Sequence, residues 1–183
     1  MGDPTASSDP VRATGPPAVP EGTPDGPIVL VLDPSGAAKH GELPATWRDF
    51  AREWRILWSR VPADPGLTRP EDYLTAHDRA VTLVASGSSA GDALELAEKH
   101  PTAVRAVLLV DPGTDRYVAP ERGDAETVRW EEATASRRKA LEEEGVTVET
   151  VALSTGGERD RVPAPIPLGH PDVAEAVRKA IEE

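Results

Sequence analysis

Val81-Thr-Leu-Val-Ala-Ser-Gly-Ser-Ser-Ala-Gly91 is a short apolar strand running into a turn of glycine, serine and alanine, and residues 92–99 behind it favour helix. Strand, G-x-S-x-G turn and helix in that order form the setting in which a serine is held clear of the backbone on a sharp turn. A serine hydroxyl is a weak nucleophile. It needs exposure, a neighbouring base and backbone N–H groups aimed at the charge that develops beside it. The sequence therefore predicts that Ser89 stands on a strained turn, with Gly87 and Gly91 flanking it because a side chain there would collide.

Outward from this segment the elements alternate. Pro27-Ile-Val-Leu-Val-Leu32 is a continuous apolar run of the kind found in strands covered on both faces. Trp47, Phe50, Ala51 and Trp54 follow the i, i+3, i+4, i+7 spacing and predict a helix over residues 44–54. Further strands are expected at 55–61, 104–110 and 146–153, with helices at 70–78, 125–144 and 171–183. The 125–144 helix ends at Gly145, a left-handed cap, and the last helix carries an apolar stripe of Val173, Ala176, Val177, Ala180 and Ile181. Strands alternating with helices predict an α/β fold, a mostly parallel sheet with helices on both faces. Sites in such sheets lie at the carboxyl ends of the strands, here the loops that start at Asp33, Pro62, Ser86, Asp111 and Ser154.

Residues 1–26 carry six of the 19 prolines, with Gly, Ser, Thr and Asp between them and only Val, Ala and Met as apolar residues. That composition buries too little surface to offset its ordering entropy, so a disordered tail is expected at 1–26 and one compact domain at 27–183. The chain lacks cysteine, which excludes a disulfide framework and a thiolate nucleophile or metal site. Its net charge of −12 argues against nucleic acid and anionic membrane as partners. No apolar run reaches membrane-spanning length and no signal-peptide pattern opens the chain, so a cytoplasmic location is expected. His40, His77, His100 and His170 fall in no metal-ligand spacing, and neither a metal nor a cofactor is expected. The four tryptophans, Trp47, Trp54, Trp58 and Trp130, suit packing positions.

From about residue 27 onward the chain resembles the α/β-hydrolase family. Gly87-Ser-Ser-Ala-Gly-Asp-Ala-Leu-Glu-Leu-Ala-Glu-Lys-His-Pro101 followed by Val104-Arg-Ala-Val-Leu-Leu-Val110 is similar to that family's nucleophile elbow, helix and next strand. Gly157-Glu-Arg-Asp-Arg-Val-Pro163 and Gly169-His170 are similar to the segments that deliver the acid and the histidine. The resemblance implies Ser89 as nucleophile, His170 as general base and acid, and Asp160 as the carboxylate that orients the imidazole, in the chain order of this fold. It also implies an oxyanion hole from the N–H groups of Ala90 and Ser35. Asp111, at a strand end, is the reserve acid. Two departures stand out: Asp33-Pro34 occupies the start of the oxyanion loop, and Asp160 and His170 are only ten residues apart.

The expected activity is hydrolysis of a small ester or thioester through an acyl-enzyme on Ser89, with a small acyl compound as partner and no cofactor. The alternative from the same fold is a catalytically inactive α/β-hydrolase-like binding or interaction module, which both departures favour. A phosphate binder using the turn's N–H groups is a weaker third reading, because the turn has no lysine and Asp92 would repel the ligand. The plain readings are a helix cap for His170 and solvated loop charge for Asp160.

Overall fold

The computed structural model describes residues 18–34, 41–61, 69–115, 118–154 and 162–183. Six strands form one sheet: β1 (Ala18–Gly22), β2 (Ile28–Asp33), β3 (Arg55–Arg60), β4 (Val81–Ser86), β5 (Val104–Val110) and β6 (Thr147–Ala152). Their order is β1-β3-β2-β4-β5-β6, and every pairing is parallel except that of β1 with β3. Among the described residues four α-helices accompany the sheet: α1 (Pro70–Thr75), α2 (Ser89–Lys99), α3 (Pro120–Glu143) and α4 (Pro171–Glu182). The expected architecture, a mostly parallel sheet with helices on both faces, is the one observed.

The central strand shows why its sequence is apolar throughout. Ile28, Leu30 and Leu32 belong to one core cluster with Leu74 of α1, Leu94 of α2 and Leu141 of α3. Val29 and Val31 belong to a second, with Trp47, Trp58 and Val173 and Val177 of α4. Successive side chains of a strand point to opposite faces, so a strand covered on both faces needs an unbroken apolar run. The three tryptophans of the second cluster pack as expected, and Trp47 meets Trp58 edge to face with centroids 5.1 Å apart. Trp130 is partly buried against the first cluster.

Two expectations need correction. Ordered chain begins before residue 27: β1 pairs with β3 from Ala18↔Ser59 to Gly22↔Arg55, and Val19 is buried. Pro20 within that segment argues against a central strand, but β1 lies at the sheet edge, where a missing N–H is tolerated. Residues 1–17 lie outside the described residues. The helix expected over 44–54 is instead two single 3₁₀ turns, Ala45–Trp47 and Phe50–Arg52. Tertiary bonds decide this: the Trp47 indole donates to the Leu168 carbonyl at 2.8 Å and Thr46 Oγ1 donates to the Gly169 carbonyl at 2.9 Å, which ties the segment to the approach of α4.

Candidate functional site

β4 ends at Ser86, and the chain turns at once into α2. The residue that takes the left-handed conformation at this turn is Gly87, with φ of +52°. Ser89 is not among the left-handed residues; it opens α2, two positions further on. This corrects the expected frame. The strained position of the strand-turn-helix carries no side chain, and it has no room for one. A Cβ on Gly87 would lie 2.5 Å from the Thr114 carbonyl oxygen and 3.0 Å from Pro165 Cγ. Gly91 is the opposite case, because nothing lies within 4 Å of a Cβ built there. The steric requirement assigned to Gly91 from the sequence does not exist.

Ser89 itself is 1 % exposed. Its hydroxyl oxygen lies 2.8 Å from the Ser86 carbonyl and 3.0 Å from the Leu32 carbonyl, and accepts from the Ser86 N–H at 3.1 Å. One proton cannot serve both carbonyls fully, yet every neighbour is main chain of β2 and β4. The hydroxyl thus fastens the start of α2 to the ends of two strands. Ser88, the exposed neighbour, occupies the helix cap. Ala90 N–H, expected as an oxyanion donor, donates to the Gly87 carbonyl at 3.3 Å within the turn.

The remaining predicted residues are dispersed. His170 is the N-cap of α4, where Nδ1 accepts the Asp172 N–H at 3.2 Å, with the Asp172 carboxylate 3.8 Å away. No hydrogen bond joins His170 to Ser89 or to Asp111. Asp160 and Ser35 lie outside the described residues.

Asp111, the reserve acid, is fully buried, and its φ of +42° makes it the one left-handed non-glycine among the described residues. Its carboxylate accepts from Ser154 N at 2.9 Å, Ser154 Oγ at 2.6 Å and Ile166 N at 2.7 Å. Aspartate tolerates this backbone region better than most residues, and the donors compensate burial of the charge. Asp111 therefore clamps the start of the loop after β6 to the segment that leads into α4, and those three donors leave it engaged in structure rather than with an imidazole. Asp33, also buried, accepts the Trp58 indole N–H at 2.9 Å.

Two features escaped the sequence reading. The first, that Gly87 and not Ser89 is the left-handed residue, had a signal: a glycine directly after an apolar strand is the default left-handed residue. The second is a cavity of about 340 Å³ beside the carboxyl ends of β2 and β3, with Leu32, Val61 and Leu96 on its wall and Asp92 and Arg69 among its polar residues. Burial, and then the neighbouring Glu95, hold the Asp92 carboxyl above the usual aspartate range. Nothing in the spacing of Asp92 signalled this cavity, since residues of β2 and α1 wall it together with those of α2.

No family model matches the chain, and no curated protein matches it. Solved structures do. A serine hydrolase involved in carbazole degradation is 15 % identical over 70 % of this chain and 63 % of its own, with a TM-score of 0.39. The thioesterase domain from the curacin biosynthetic pathway is 15 % identical over 69 % and 56 %, TM-score 0.34. The N-formylmaleamic acid deformylase from Pseudomonas putida S16 is 19 % identical over 68 % and 56 %, TM-score 0.35. The chain spans less than two thirds of the length of each, and these likenesses concern the fold alone. Among the described residues, no helix is long and apolar enough to cross a membrane. In its fold, the chain is an α/β protein, a mostly parallel six-stranded sheet with helices on both faces.

Proposed function

We propose that this chain is an α/β-hydrolase-like domain that acts by binding a small molecule and forms no acyl-enzyme. The observation that supports this most is the turn between β4 and α2, whose left-handed residue is Gly87, packed against the Thr114 carbonyl and Pro165. A nucleophile must stand exposed on such a turn, within reach of a base. Here the serine of the G-x-S-x-G pattern is buried and bonded to main chain, and His170 caps a helix.

The test is labelling of the purified protein with a fluorophosphonate probe, beside Ser88→Ala and Ser89→Ala. No labelling above that of a heat-denatured control is expected. Labelling that disappears in Ser89→Ala would overturn the proposal and restore the acyl-enzyme reading, with Asp160 and His170 as the groups to mutate next. Labelling that disappears in Ser88→Ala would overturn it as well, in favour of the exposed serine of the turn.

A further inference from the structure

We infer that the outer edge of β6 is a docking site for an extended, basic peptide segment of a partner protein, which adds to the sheet as a further strand. The inference goes beyond the small-molecule reading and uses neither the β4–α2 turn nor the cavity beside β2. A sheet edge presents a row of unpaired N–H and C=O groups, and an extended peptide satisfies them by main-chain bonds. Among the described residues β6 pairs with β5 alone, and β1 ends the sheet on the other side. The two edges differ. β1 has five residues with Pro20 at its centre, which removes a donor and blunts that edge. β6 holds no proline, and every residue of it except Val148 keeps some exposed surface. Its register with β5 is regular from Thr147 to Thr150, and the irregularity beyond leaves Val151 without a partner in β5. Val151 and Ala152 pack with Ile181 of α4 against the second core cluster and stay partly exposed, so apolar surface flanks the edge on that face.

The charge of the partner follows from the side chains beside the edge. α3 and α4 lie on opposite faces of the sheet, since Leu141 and Val177 belong to different core clusters. Val148 belongs to the cluster of Leu141, so Glu149 faces the α4 side. There it is exposed and has no ion-pair partner among the described residues. On the α3 side Glu131 accepts from Thr150 Oγ1 at 2.6 Å and has Arg138 at 3.8 Å, so its charge is already shared. Arg105, on the neighbouring strand, donates to the Ile181 carbonyl at 3.5 Å. Glu149 therefore sets the sign. A lysine or arginine opposite it on an added strand forms a cross-strand pair of opposite charge. The net charge of −12 acts in the same direction at longer range, drawing in a basic segment and repelling a second copy of this chain.

Fluorescence anisotropy of the full chain with labelled peptides tests the edge. The probes are Val-Lys-Val-Lys-Val-Lys, its glutamate counterpart Val-Glu-Val-Glu-Val-Glu, and the lysine peptide N-methylated at every amide. The lysine peptide should bind saturably and at least about tenfold more tightly than either of the others, the usual effect of charge-assisted contacts and main-chain bonds. Glu149→Lys should remove its advantage over the glutamate peptide. Asp78→Lys, the same charge change at an exposed position in the loop before β4, should preserve it. Amide hydrogen exchange should show new protection within residues 147–152 when the lysine peptide is bound, a readout that needs no variant. Equal binding of the lysine and glutamate peptides, undiminished binding of the N-methylated one, or no saturable binding would each overturn the proposal. So would equal losses in the two variants, or protection confined to residues outside β6. Sedimentation of the free chain covers the rival occupant: a dimer with residues 147–152 already protected would overturn the proposal in favour of a second copy.

Discussion

Two left-handed turns stand side by side at the carboxyl ends of β4 and β5, and they solve the same backbone problem in opposite ways. At Gly87 the turn discards the side chain, so the neighbouring loop can press its Thr114 carbonyl into the space. At Asp111 the turn keeps a charged side chain and uses it, with three donors converging on one buried carboxylate. The turns are joined: Gly87 N–H donates to the Val110 carbonyl at 3.0 Å, and Gly113 N–H donates to the Gly87 carbonyl at 3.3 Å. A serine nucleophile would need the first turn to behave as the second does, carrying a functional side chain in a strained conformation. In this chain the side chain that survives such strain is a carboxylate holding loops together. The end of the sheet where a catalytic serine would be presented is organised by packing, main-chain bonds and the Asp111 carboxylate.

The contrast is open to mutation. Asp111→Ala should be the most damaging change, because it orphans two buried N–H groups and a hydroxyl; at 1–3 kcal/mol for each buried unsatisfied group, a loss of about 4 kcal/mol is expected. Urea denaturation measures it, and a loss below about 1 kcal/mol would mean that the carboxylate is not the clamp. Gly87→Ala should cost about 2–3 kcal/mol, the sum of a left-handed alanine and a backbone clash. A Gly87→Ala variant that melts with the parent would break the comparison outright and place the strained residue elsewhere.

Ser89→Ala should cost about 1–2 kcal/mol, since it deletes a buried hydroxyl held by main-chain groups of β2 and β4. An exposed nucleophile on the turn would contribute no such stability, so the measured melting temperature separates the two positions of the side chain. Smallest of all, Gly91→Ala should stabilise by about 0.5–1 kcal/mol, as a helical position with open space around it gains from a better helix former. Opposite signs for Gly87→Ala and Gly91→Ala are the sharpest reading of where the turn lies. Two losses of similar size would return the strain to the frame centred on Ser89.

Periodicity along the chain was sufficient for most of the architecture. Apolar runs at 28–32, 81–85 and 106–110 read as strands covered on both faces, and the stripe of Val173, Val177 and Ile181 reads as an amphipathic helix, because burial repeats every two or every 3.6 residues. These are local properties, and the parallel sheet followed from their alternation. Composition likewise gave the acidic, cysteine-free character of the chain.

What the tertiary structure alone decided concerns positions where local pattern is silent. Residues 18–22 become a strand because β3 offers an unpaired edge, a property of the sheet and not of Ala-Val-Pro-Glu-Gly. The tryptophan-rich segment 44–54 carries a helical spacing but breaks into 3₁₀ turns, since carbonyls at 168 and 169 bind Trp47 and Thr46. The turn after β4 is the decisive instance. Gly87-Ser-Ser-Ala-Gly91 holds two small-residue frames, one centred on Ser89 and one starting at Gly87. Which residue turns left depends on where β4 stops pairing with β2 and β5, and on the 111–114 loop that presses on it. Those are contacts between segments distant in sequence, so the motif was legible while the direction of its serine was not.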